Sequence, residues 1–370
     1  MTIGKFFFSD NTSGLEIKNN GLESELIVAY LKKYEKNVPL LIKREEEVVF
    51  KEPLPEFILS TINEKAFSKD FYFWKYFPFN YRKVPLSLRN AILWALMKRG
   101  KFRDGTEIKQ FVSFIKYLRE NKFYFRGNGI SIFFLEAPLL LLSHDIETAN
   151  GFKMALKMAN IEESLGFRST WFIITGEYKI DESVLNELVI RGHKIGWHEF
   201  KHDNRFPFLS QKGMEKRIAK SMDFIKKYNV KGFRSPSYLF SEKMFKKIRE
   251  YFAYDSSRLD YDIISGGRQK GCYCPYPFLL ESGLLEIPVT IPWEIPFISD
   301  EPLKDYWERK IALLLENNAL IHINTHPDPH YSGNGGMMTR YEILLTSLRG
   351  KNIKNVSIEE LTGVINAERC

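Results

Sequence analysis

From about residue 138 the chain alternates short apolar runs with amphipathic segments. Leu139–Glu147 (LLLLSHDIE) is apolar and closes on polar residues, as a strand end does. Gly151–Leu165 and Glu182–Arg191 repeat their apolar positions at helical spacing. Between and after them, Ser169–Ile174 (STWFII) and Lys194–His198 read as short strands. Lys212–Tyr228 predicts an amphipathic helix with Lys and Arg on its outer face. Gly232–Pro236 is a strand end, and Ser241–Phe252 a helix capped by Ser241 and opened by Glu242. Strands at Tyr254–Ser256, Leu284–Ile291, Ala319–Thr325 and Asn355–Ser357 alternate with helices at Leu303–Asn317 and Tyr341–Leu348. Such alternation implies a parallel sheet with crossover helices. Seven or eight β–α units in about 230 residues fit a barrel better than an open doubly wound sheet. The open sheet calls for a Gly-rich first turn, and the first strand here ends in HDIET.

The pattern changes ahead of this region. The first 64 residues hold strand-like runs (Glu25–Tyr30, Pro39–Ile42, Glu47–Phe50) with charged breaks, and Asn90–Arg99 reads as a helix. The sequence therefore divides near residue 136, into an N-terminal α+β extension (1–136) and a β–α region (137–370).

Charge and chemistry fall on different sides of that boundary. The net charge is +8. Residues 1–136 carry 23 Lys/Arg against 16 Asp/Glu, and residues 137–370 carry 31 against 30. All seven histidines (144, 193, 198, 202, 322, 326 and 330) lie in the second part. The excess of positive charge is concentrated in residues 65–126, with 15 Lys/Arg against 4 Asp/Glu and the aromatic run FYFWKYFPFNYRK. Packing of these aromatics against the rest of the protein, with solvated lysines, accounts for such a segment. So does an anionic membrane surface or a lipid-linked pyrophosphate sugar, which basic and aromatic side chains favour together. Nucleic acid is disfavoured, since no nucleic-acid fold signature accompanies the charge. Three cysteines (272, 274 and 370) form no even disulfide framework, which points to a reducing compartment. No stretch approaches the ~20 apolar residues of a membrane span. The expectation is a soluble cytoplasmic protein, peripheral at the inner membrane face if the basic segment binds there. Oligomeric state leaves no signal.

Four segments carry candidate chemistry, each at the C-terminal end of an expected strand, where barrels place their sites. On a strand, residues two apart share a face, so Asp145 and Glu147 point into the barrel mouth together. Two carboxylates facing one site repel unless a cation lies between them or one is protonated. By itself the pair is as well read as a solvated strand end. His198 and His202, in GWHEFKH, lie four apart where a strand gives way to a turn, and both rings can reach one ion. Arg234, in GFRSPS, stands at a strand end, able to hold a carboxylate ionised or to form an ordinary surface ion pair. His322 and His326, in IHINTHP, share a strand face at different depths. His326, nearer the mouth, suits chemistry; His322 suits a satisfied core histidine, and His193, at the start of its strand, a structural one. His330 is left without a role.

Together these segments resemble the polysaccharide deacetylases, the NodB-like carbohydrate esterases, over roughly residues 138–362. SHDIE is similar to the family's first motif, GHKIGWHEFKH to its second and GFRSPSYLFS to its third; YDSS (254–257), LLEIPVTIP and NTHP follow in order. The resemblance implies a distorted (β/α)7–8 TIM-like barrel. It makes Asp145 the general base, His326 the general acid and Arg234 the brace for Asp145, with Asp255 in support. Glu147, His198 and His202 would be ligands of a divalent metal, Zn2+ or another transition ion. The family more often has Asp at the place of Glu147, and its aromatic–acid segment is matched poorly by Trp293-Glu294. The implied activity is metal-dependent removal of an N-acetyl group from a sugar of a glycan, glycolipid or lipid-linked intermediate, with a backbone N–H near Arg234 as an oxyanion donor. Two other readings stand beside it: an allantoinase-like cyclic-amide hydrolase of the same family, and a barrel without activity that binds glycan through its aromatics.

Overall fold

The structure is a computed structural model. It describes five strands between residues 2 and 50 by their backbone, and residues 133, 135–260, 274–280, 282–294, 300–351 and 353–367, those of 300–306 by backbone alone. The basic aromatic stretch 65–126, the expected helix Asn90–Arg99, and Cys272 and Cys370 lie outside the described residues.

The N-terminal strands β1 (Thr2–Phe7), β2 (Ser13–Lys18), β3 (Leu26–Lys33), β4 (Lys36–Arg44) and β5 (Glu47–Phe50) form one antiparallel meander in that order. The three runs read as strands from the sequence correspond to β3, β4 and β5. β1 and β2 went unread, because FFF and LEI are short and flanked by polar residues.

The second sheet is built from β6 (Leu139–Ile146), β7 (Thr170–Ile173), β8 (Lys194–Trp197), β9 (Gly232–Phe233), β10 (Tyr254–Asp255), β11 (Phe278–Leu279), β12 (Leu285–Glu286), β13 (Ile291–Pro292), β14 (Leu320–Thr325) and β15 (Lys354–Asn355). Its order is β11-β12-β10-β9-β8-β7-β6-β14-β13, with β15 beside β6. All pairings are parallel except β11 with β12. The sheet curls into a half-barrel, the distorted form of the expected (β/α) barrel, and among the described residues its end strands β11 and β13 do not pair with each other. The expected strand Leu284–Ile291 is two short strands, β12 and β13, separated by Ile287–Thr290.

Helices α1 (Ala149–Ser164), α2 (Glu182–Ile190), α3 (Gln211–Lys227), α4 (Glu242–Ile248), α5 (Asp300–Glu316), α6 (Gly335–Arg349) and α7 (Ile358–Ala367) accompany the strands. Their starts are set by caps. Thr148, Asp181, Ser210, Ser241 and Asn334 each accept a backbone N–H of the first turn. α6 accordingly begins six residues before the expected Tyr341, at a Gly-Gly pair whose low helix propensity hid it. Among the described residues no helix is long and apolar enough to cross a membrane.

The core gathers Leu140, Leu142, Trp171, Ile173, Ile195, Trp197, Phe233, Ile321 and Ile323 from adjacent strands, all at most 2% exposed. One close approach matters for the site. A Cβ on Gly196 would lie 2.4 Å from the Phe172 ring, so the glycine makes room for that ring. The Phe172 ring in turn lies 4.2 Å beneath the Arg234 guanidinium, a cation–π platform for a buried charge.

Candidate metal centre and its acid–base partners

The C-terminal ends of β6, β8, β9 and β14 bring the candidate residues together. β6 is covered on both faces, and its alternation puts His144 on one side and Asp145 on the other. The His144 ring contacts Glu162 of α1 and Thr325, away from the site. Asp145 is buried, and both its oxygens are occupied: Arg234 Nη1 donates to Oδ1 (2.9 Å) and Asn324 Nδ2 to Oδ2 (2.9 Å). Burial pushes its pKa up, but Arg234, His198, His326 and Asn324 outweigh this and hold it down at about 2. Arg234 is itself fully buried. It donates to Ser143, Asp145 and Asn324 through Nη1, and to the Ser256 carbonyl and hydroxyl through Nε and Nη2. Its ion pair with Asp145 is buried on both sides.

His198 begins the loop after β8, its backbone N–H still tied to Ile173 (2.9 Å). Its Nδ1 donates to the Arg234 carbonyl at 2.9 Å, which leaves Nε2 as the bare lone pair. That Nε2 is buried and has no hydrogen-bond partner among the described residues. Burial lowers the His198 pKa to about 4 although Asp145 opposes it, so the ring is neutral at pH 7. His202 Nε2 lies 2.7 Å from Glu147 Oε1. One ligand atom from each of Glu147, His198 and His202 falls within 4.8 Å of the others. A buried lone pair facing an imidazole and a carboxylate is the donor set of a transition-metal site, so these residues fit a divalent ion. The extra methylene of Glu147, relative to aspartate, does not keep it from the two rings.

His326 follows β14. Its Nε2 stands 3.7 Å from Asp145 Oδ2 and 3.6 Å from Glu147 Oε1. Its Nδ1 pairs with Glu294, which also accepts from the His326 backbone N–H (2.5 Å) and from Ser332. Burial alone would lower the His326 pKa, but Glu294, Glu147 and Asp145 push it up to about 10. One carboxyl is thus held low and one imidazole held high, less than 4 Å apart.

Other expectations meet mixed outcomes. Asp255 is fully buried on β10, but its oxygens accept from Ser257 N–H (3.0 Å) and Ser257 Oγ (2.8 Å). Ser257 Oγ accepts from Ser235 N–H (2.8 Å), so Asp255 is linked to the segment after Arg234, and its carboxyl lies beside that of Glu286. The backbone donor expected near Arg234 is spent at both nearest positions: Arg234 N–H donates to the Trp197 carbonyl (3.0 Å) and Ser235 N–H to Ser257. His322 is a satisfied core histidine, held by Ser143 (3.0 Å) and the Pro288 carbonyl (3.0 Å). His193 pairs with Ser169 and Glu163 behind the sheet. His330 is exposed.

Sequence reasoning missed four residues at the site. Glu294 was in view as a poor match and is the partner of His326. Asn324 lies two residues before His326 on a strand, hence on its face, a signal that was available. Tyr238, whose hydroxyl accepts from Asn324 (2.6 Å), follows a left-handed Ser237 and is left-handed itself, which no motif announces. Asp328 accepts from Glu147 N–H (3.3 Å) and from Thr148 Oγ1, tying the end of β6 to the loop after His326.

Residues 153–253 match the family profile described as Polysaccharide deacetylase. No curated protein matches the chain. Among solved structures, the protein of Mycobacterium smegmatis assigned to the polysaccharide deacetylases superposes with a TM-score of 0.50 at 13% identity, over 66% of this chain and 96% of that one. The chitin deacetylase of the fungus Colletotrichum lindemuthianum gives 0.42 at 14% identity, over 62% and 89%. A protein of Bacillus anthracis described as a pseudoenzyme gives 0.37 at 15% identity, over 64% and 68%. The chain therefore shares a segment similar to the polysaccharide deacetylases, and a half-barrel fold like that of the Mycobacterium smegmatis protein.

Proposed function

We propose that the protein is a metal-dependent hydrolase that removes an N-acetyl group from a sugar. The observation that carries this reading is the unpartnered, buried Nε2 of neutral His198, aimed at the same small volume as His202 and Glu147. Those three residues would hold the ion, Zn2+ or another divalent transition metal, and a bound ion of this kind polarises a carbonyl and acidifies water.

The remaining steps belong to the chain. Asp145, kept ionised by Arg234 and Asn324, takes the proton of water as the water oxygen attacks the acetyl carbon. The carbon–nitrogen bond then breaks, and His326 Nε2 gives its proton to the departing nitrogen. Acetate and a free amine result. Glu294 keeps the His326 ring turned with Nε2 toward the acids and favours its protonated form. An inactive glycan-binding barrel has no need of a base, an acid and three ligands at one point.

Replacing His198 or His202 by Ala is expected to remove bound metal, measured by elemental analysis, and acetate release from N-acetylglucosamine oligomers. Normal turnover by either variant would refute the ligand assignment. Ring opening of allantoin-like compounds, assayed beside acetate release, tests the cyclic-amide alternative. The lipid-linked substrate and the membrane-peripheral location are proposals from the charge of residues 65–126, and no salt-sensitive binding to anionic liposomes in a flotation assay would end them; the cytoplasmic location is a proposal from the three cysteines.

A further inference from the structure

The loop bearing His198 and His202 is held from behind by a single arginine. Glu199, directly after His198, has a left-handed backbone (φ 76°) and a fully buried side chain. Such a conformation costs a non-glycine residue free energy and persists only where its surroundings fix it. Glu199 Oε2 accepts from Lys201 N–H (3.0 Å) and from Arg217 Nη1 (2.8 Å). The same guanidinium grips Asp203 with two prongs, Nη1 to Oδ1 (2.9 Å) and Nη2 to Oδ2 (2.5 Å). Asp203 directly follows His202. Arg217 therefore clamps the residue next to each imidazole, and it does so from α3, with its side chain only 15% exposed. A planar fork reaching two carboxylates fixes angles as well as distances, which a lysine's point charge does not.

We infer that Arg217 is a positioning residue for the metal: its grip on Glu199 and Asp203 sets the separation of the His198 and His202 rings that one cation requires. The rings stand with centroids 5.5 Å apart. The inference rests on the metal reading above and adds to it a residue that touches neither ion nor substrate.

The test titrates the metal-free full chain with Zn2+ by calorimetry and with Co2+ by visible absorption. Arg217→Met is expected to weaken Zn2+ binding about ten- to a hundredfold, the range typical of groups that support metal ligands, and to shift the Co2+ ligand-field band. Arg217→Lys keeps a positive charge at this position and loses the fork; it is expected to fold and to bind with intermediate affinity. Lys310→Met, which breaks the buried Lys310–Asp260 pair (2.7 Å), serves as the control: it lowers thermal stability and binds both ions as the wild type does. Affinities of both Arg217 variants within about twofold of wild type, with an unchanged Co2+ band, would overturn the inference and leave the metal reading standing. An equal loss in Lys310→Met would reduce the effect to general destabilisation and overturn it as well. Failure of the wild type to bind Zn2+ would remove the metal reading itself, and this inference with it.

Discussion

Glu162 offers a measurement of how firmly the site's first strand is anchored. Its carboxylate is fully buried behind β6. Oε1 accepts from His144 Nε2 (2.7 Å) and the Tyr341 hydroxyl (2.7 Å), and Oε2 from Ser169 Oγ (2.6 Å). It thereby ties α1 to β6, α6 and the start of β7. Glu162→Leu keeps the volume and strands three buried donors. Each stranded donor costs ~1–3 kcal/mol, and removing one partner of a buried ionic group costs ~3–5 kcal/mol, so a loss of about 3–5 kcal/mol is expected. Glu162→Gln should cost only about 1 kcal/mol, the usual gap between a charged and a neutral acceptor. Its carbonyl can serve His144 and Tyr341, while Ser169 accepts from the amide and turns its proton onto His193 Nδ1, 2.9 Å away. Urea unfolding followed by tryptophan fluorescence gives both values. Glu162→Leu within about 1 kcal/mol of wild type, or Glu162→Gln as damaged as Glu162→Leu, would refute the reasoning. A pH arm adds a sign. Burial raises the Glu162 pKa, but His144 and the other donors outweigh it and hold the carboxyl below its ordinary value. The unfolded chain then binds more protons between the two values. The stabilisation is present above the ordinary glutamate value and is lost as pH falls through the folded one. Glu162→Gln should lack this acid-side loss.

Glu286 predicts the opposite slope. Burial and the neighbouring Asp255 raise its pKa well above the usual value, so its stabilisation is present at acid pH and is lost as pH rises through the folded value. Thermal melts between about pH 5 and 9 should fall more steeply for wild type than for Glu286→Gln, and parallel curves would contradict this. At Gly232 an added Cβ would lie 1.9 Å from the Tyr254 ring, so Gly232→Ala should cost ~1–3 kcal/mol by overpacking. A melting temperature equal to wild type would show that Tyr254 moves aside freely.

Legibility in the sequence followed the range of the interaction. Asp145 could be paired with Glu147, and His198 with His202, because a strand's alternation and a four-residue spacing are local geometry; joining the two pairs into one site rested on the resemblance. Ser241 announced its cap in the same way. Glu294 could not be paired with His326 from the sequence, since 32 residues separate them and their meeting depends on how β13 lies against β14. Arg217 was hidden more thoroughly. Its helix reads as basic on the outer face, and Lys212, Lys216 and Lys220 are indeed outside or at the margin. Arg217 has the same charge and turns inward, because two acids from another segment wait there. β11, a strand of two residues, leaves almost no periodicity to read and went unread.

The strand that delivers Asp145 and Glu147 has a divided neighbour. β7 pairs only with Ser143–Ile146, while the opening residues Leu139 and Leu140 meet Lys354 and Asn355 on that flank. Asn355 also bonds the Leu140 carbonyl (3.1 Å) and the Arg168 N–H (2.7 Å). During synthesis the leucine run therefore leaves the ribosome more than 200 residues before its last edge partner exists. Until then an apolar, half-open edge is available to other chains, and a nascent protein of this design calls for protection by a chaperone over that interval.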